Sequence, residues 1–96
     1  MNKILLSNQI TFSIEPFEKK VRLVVYKDNK EWVCRKETFK NLNYFLSQED
    51  VSIFKGRLQL HKRKNKINVE VKGEIIGVIN ADVFRKSIQY YMVQVA

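Results

Sequence analysis

The chain has 96 residues and a formal net charge of +8. That length fits one domain with one modest core, and a composition 45% hydrophobic and 11% aromatic belongs to a folded protein, not a disordered tail. A single cysteine and a single histidine exclude an intrachain disulfide and a Cys/His metal site, and the sequence has no glycine-rich phosphate loop.

In chain order, "MNKILLS" (1–7) has one Lys and three apolar residues, too few for a signal-peptide core. No run approaches the roughly 20 apolar residues of a membrane span. Together with the lone Cys34, this reads as a cytoplasmic protein of a reducing compartment, with no membrane partner. The abundance of Lys, Asn and Ile fits an AT-rich bacterial or phage genome. "QITFSI" (9–14) alternates as a strand does, and Glu15-Pro16 ends it.

"VRLVVYKDNKEWVCRK" (21–36) reads as a hairpin turning at Asp28-Asn29, two residues that tolerate positive φ. A regular register pairs Val25 with Trp32 and Leu23 with Cys34, which buries these four with Val21. Arg22, Val24, Tyr26, Glu31, Val33 and Arg35 take the outer face. In "TFKNLNYFLSQED", Phe39, Leu42, Phe45 and Leu46 recur at helical spacing behind Thr38, a suitable N-cap.

The second half repeats the scheme. "GRLQLHKRKNKINVEVKGEIIGVIN" holds three strand-like runs, with Leu58, Leu60, Ile67, Val69, Val71, Ile76 and Val78 inward. Gly73-Glu74 suits a type II′ turn. "NADVFRKSIQYYM" closes as a helix capped by Asn80, with a stripe of Phe84, Ile88, Tyr91 and Met92.

The halves align on each other. "RLVVYKDNK" (22–30) over "RLQLHKRKNK" (57–66) matches Arg22 with Arg57 and Tyr26 with His61. "TFKNLNYFL" (38–46) over "VFRKSIQYY" (83–91) matches Phe39 with Phe84 and Phe45 with Tyr90. The expected architecture is α+β: one domain over 1–96, with antiparallel sheet and two short helices. Its strand-helix half-repeats, 9–50 and 51–96, would pack as an intramolecular pseudo-dimer. In this strand-then-helix order the chain resembles the PUR-repeat and whirly-type single-strand binders. That resemblance implies two repeats of four strands and a helix intertwined on one core, binding single-stranded DNA or RNA. By pattern, the first half reads one strand short of such a repeat.

Charge divides unevenly. Residues 1–50 carry nine Lys/Arg against seven Asp/Glu, and residues 51–96 carry nine against three. A basic field of this kind favours nucleic acid or an acidic protein partner. Catalysis is not expected: His61 has no carboxylate near it in sequence, Cys34 reads as a core thiol, and no metal or cofactor is implied. The expected phosphate ligands are Lys62, Arg63, Lys64 and Lys66 in "HKRKNK", with Arg22, Lys27, Lys30, Arg35, Arg57 and Lys72. Tyr26 and His61 would meet bases or sugars. The alternative is a protein-interaction module, for an acidic partner or a homodimer, that uses Val24, Val33, Ile75 and Ile79 as an apolar patch on the outer face.

Overall fold

The computed structural model describes residues 2–95, with side chains described for residues 3–90. Tyr91 and Met92 of the expected helix stripe therefore lie outside the described side chains. The first half forms β1 (Asn2–Ser7), β2 (Ile10–Phe17), β3 (Lys20–Lys27), β4 (Lys30–Glu37) and α1 (Phe39–Ser47). The second forms β5 (Asp50–Ile53), β6 (Leu58–Arg63), β7 (Lys66–Val71), β8 (Glu74–Asn80) and α2 (Ala81–Val95). Each set of four strands is an antiparallel sheet in sequential order. The α+β class holds, and each half has four strands. The two unforeseen strands, β1 and β5, are both edges.

Local chemistry explains the punctuation. Asp28 and Asn29 both adopt positive φ, 54° and 65°, as the mirror-image turn of a two-residue hairpin requires. The corresponding turn of the second half is Lys72-Gly73, at 52° and 89°, and not Gly73-Glu74: glycine takes the second central position and Glu74 opens β8. Thr38 caps α1, its side chain accepting from Asn41 N–H at 3.2 Å. Asn80 caps α2, its Oδ1 accepting from the N–H groups of Asp82 (2.8 Å) and Val83 (3.3 Å).

The registers depart from simple alternation at bulges. Val25 pairs with Val33 and Tyr26 with Glu31, so Trp32 is an extra residue on β4. Val69 pairs with Gly77 and Glu70 with Ile75, so Ile76 is the extra residue on β8. A bulge inverts the face of every later side chain on its strand. Val33 and Ile79 therefore turn into the core, while Cys34 and Val78 turn out, each the reverse of the expected side. Val24 is outward as expected but fully buried, so of the four residues of the expected apolar patch only Ile75 is exposed.

Both bulged residues are the third of their strand, and each follows its turn by the same spacing. The true repeat thus places the β3–β4 hairpin on β7–β8. The alignment of 22–30 with 57–66 is out of step by one strand. Its helix match also fails at one pair, since Phe45 is buried and Tyr90 exposed.

One hydrophobic cluster is shared by both halves. It joins Phe12, Ile14, Val21, Leu23 and Val25 of the first sheet, Leu58, Leu60, Ile67 and Val69 of the second, and Leu42, Phe45, Phe84 and Ile88 of the helices. Helix α2 packs on β2 of the other half, with the rings of Phe12 and Phe84 5.9 Å apart. Arg85 of α2 donates to the Leu46 carbonyl at the end of α1 (3.3 Å). Strand β1 lies against β8, where Leu6 crowds Gly77. Each large side chain fully buried in this shared cluster contributes about 1.5–3 kcal/mol.

Candidate nucleic-acid interface

The twelve residues expected to meet nucleic acid fall into four environments. On the outer face of the first sheet, Arg22 and Tyr26 belong to a closed network around Glu15. Glu15 accepts from Ser13 Oγ (2.9 Å), Tyr26 OH (2.9 Å) and Arg22 Nη1 (3.0 Å), and Arg22 also donates to Glu31. The Lys3 ammonium lies 5.3 Å from the Tyr26 ring centre, and Val24 is sealed beneath this layer.

Burial alone would raise the Glu15 pKa. Hydrogen bonds from Ser13, Tyr26 and Arg22, and the Arg22 charge, outweigh it and hold the carboxyl below its ordinary value of 4.5. The same hydrogen bond, with some burial, raises the Tyr26 phenol. Arg22 is raised too: burial opposes its charge, but Glu31 and Glu15 prevail. Arg22 is therefore neutralised within the fold and has little charge left for a phosphate.

Because the folded-state pKa of Glu15 is depressed, its contribution is complete above the unfolded value near 4.5 and is lost as pH falls through the lower folded value. In Glu15→Gln that acid-side loss should shrink, with urea midpoints converging on wild type as pH falls. Midpoints that differ by a constant amount down to acid pH would refute this account.

On the outer face of the second sheet, His61 does have a carboxylate, brought by the fold and not by sequence proximity. Its Nε2 lies 3.1 Å from Glu70 Oε1 and its Nδ1 2.6 Å from Ser52 Oγ. These contacts link edge strand β5 through β6 to β7 and fix the imidazole on both sides, so His61 is an oriented group and not a free ring for a base. Among the described residues no three His, Cys, Asp or Glu side chains gather as a metal site.

The "HKRKNK" run is divided. Lys62 points inward, only 5% exposed, and its ammonium donates to the Gln48 carbonyl at the C-terminal cap of α1. A cation there satisfies a terminal carbonyl and complements the helix dipole, which gives Lys62 a structural role at the helix end. Alternation could have found it: Leu58 and Leu60 face inward, and the next position of that parity is 62. Arg63 lies 3.9 Å from Asp50 and donates to the Lys62 carbonyl. Lys64 and Lys66 are exposed at the turn, with no acidic partner among the described residues.

The fourth environment is a seam between edge strand β4, the loop before β6 and the β7–β8 turn. Trp32, expected in the core, is half-buried: it packs against the cluster, with the ammoniums of Lys27 and Lys72 4.6 and 5.9 Å from its ring centre. Along the same strand, the Arg35 guanidinium stacks 4.6 Å above Phe54. Phe54 itself holds φ 75°, an unusual backbone state for a bulky residue, which presents its ring from the loop. Lys30 pairs with Lys27 at the hairpin mouth, and the Arg57 carbonyl accepts from Lys72 N–H (2.8 Å). Lys55 sits between Phe54 and Gly56. Lys27, Lys72 and Arg35 thus lie over two rings, and Lys30, Lys55 and Arg57 are exposed close by in the chain, with Asp28 and Glu74 at the turn ends.

Of the expected residues, the seam gathers Lys27, Lys30, Arg35, Arg57 and Lys72. Trp32, Phe54 and Lys55 were not foreseen, because the bulge that re-aims Trp32 and the loop that lifts Phe54 leave no mark in residue spacing. No described helix is long and apolar enough to cross a membrane. No family model, curated protein or solved structure matches this chain.

Proposed function

We propose that this chain is a non-enzymatic nucleic-acid-binding protein, single strands preferred, that tracks a phosphate backbone along the seam between β4 and the second sheet. The observation that carries the reading is the seam itself: Trp32 and Phe54 lie half-buried beneath Lys27, Lys72 and Arg35, with Lys30, Lys55 and Arg57 beside them. Lysines and arginines release counterions from phosphates, and aromatic rings offer bases a stacking surface of about 1–3 kcal/mol each. The exposed Lys64 and Lys66 extend the positive field without rings.

Fluorescence anisotropy of a labelled single-stranded oligonucleotide tests this. Lys27, Lys30, Arg57 and Lys72 changed together to Ala should weaken binding at least about tenfold at ~0.1 M salt. The slope of log affinity against log salt should fall by about 0.7 for each phosphate that is no longer neutralised. Arg63, Lys64 and Lys66 changed to Ala should cost less. Affinity indifferent to the seam variant and to salt would overturn the proposal.

A second reading, a protein-interaction surface for an acidic partner or a second copy, draws on Ile75 and Val78, 55% and 51% exposed on the outer face of the second sheet. Under that reading Ile75→Asp abolishes association, whereas under the first it leaves oligonucleotide affinity unchanged.

A further inference from the structure

We infer that Trp32 is a platform for one unpaired nucleobase, closed in the free protein by the ammoniums of Lys27 and Lys72. Binding of a single strand transfers those ammoniums to the phosphates that flank the stacked base. The inference rests on the proposed reading of the seam and adds the ligand's chemical class and the way the site opens.

Three features of the molecule support it. First, Trp32 is the inserted residue of a bulge on an edge strand, the device by which a sheet takes one side chain out of its ladder and re-aims it. Second, the ring is anchored: it packs on the hydrophobic cluster while remaining part-exposed, so it is a fixed surface and not a swinging side chain. Third, what covers it is removable. Lys27 and Lys72 are exposed residues on flexible stems, held over the ring by cation–π attraction alone among the described residues.

An ammonium near an exposed ring gains little, whereas the same ammonium beside a phosphate gains Coulomb energy and releases a counterion. A base that replaces it on the ring recovers the π contact. Lys30, across the hairpin from Lys27, and Arg57, whose backbone holds Lys72, then face the neighbouring phosphates.

The chemistry selects against other anions. Inorganic polyphosphate can occupy the cations but has nothing to lay on the indole. A duplex presents phosphates, but its bases are already stacked and paired. Only a strand with a free base face uses both parts of the site.

Trp32 is the sole tryptophan of the chain, so its own fluorescence reports the event without a label. The titration uses three probes at one salt concentration: an oligothymidylate, a duplex of equal phosphate content, and inorganic polyphosphate. The expected result is strong quenching by the single strand and little by the other two at equal occupancy. Trp32→Leu should lower single-strand affinity about tenfold and leave polyphosphate affinity unchanged, and Trp32→Phe, which keeps a ring, should restore most of the loss.

If the oligothymidylate binds with no quenching and Trp32→Leu binds it as tightly as wild type, the platform is refuted while the nucleic-acid reading stands. If neither nucleic acid binds more tightly than polyphosphate, both fall. Should Trp32→Leu fail to fold, quenching of the wild-type protein by the three probes decides the matter alone.

Discussion

Gly77→Val should lower the stability of this protein by about 3 kcal/mol or more, the upper end of what overpacking costs. Gly77 faces Val69 across β7–β8 at the line where β8 meets β1. A Cβ at this position would stand 2.8 Å from Leu6 Cβ, 3.1 Å from its Cδ2 and 3.2 Å from its Cγ. The nearest atom is bound directly to the main chain, so β1 itself must retreat. Gly77→Ala should already cost about 1–3 kcal/mol, and valine adds two more methyl groups to the same space. Gly56→Ala is the control: its nearest neighbour is the Arg35 guanidinium at 3.7 Å, and the change should be close to neutral. Urea denaturation of Gly77→Ala, Leu6→Ala and the double variant gives a coupling energy. A clash at this point requires the double variant to be more stable than the two single losses add up to. Strict additivity would place the cause elsewhere.

Lys62→Ala should cost about 1–3 kcal/mol, because it strips the Gln48 carbonyl at the end of α1 of its charged donor and removes the buried stem beneath it. Lys64→Ala, at the exposed turn two residues along, should stay within about 0.5 kcal/mol. Thermal melts of the two variants check the contrast. Equal melting temperatures would mean that Lys62 is a surface residue after all. The distinction matters for any attempt to map binding by neutralising "HKRKNK" as a block, since one of its cations holds the fold.

Much of the architecture was legible from the residues. The Asp28-Asn29 turn, the Thr38 and Asn80 caps and the spacing of Leu42, Phe45 and Leu46 are local signals, and local chemistry enforced them. The bulges were not legible. One inserted residue has no composition of its own, yet it reversed Val33, Cys34, Val78 and Ile79 between faces. The edge strands were missed because β5 has only four residues and β1 reads as a short apolar run without alternation. The expected site was legible as charge and not as place: five of its cations meet in the seam, while Arg22 was claimed by Glu15 and Glu31 and Lys62 by a helix end.

The shape of β4 has a consequence for self-association. β1 and β8 lie against each other, and β4, the other edge of the first sheet, meets β6 in the seam. The bulge at Trp32 breaks the regular ladder of that edge, whereas its charges do not repel as a set, since Lys30, Arg35 and Lys36 share the strand with Glu31 and Glu37. The edge is thus defended against strand addition by its irregular shape and its packing in the seam, not by its charge.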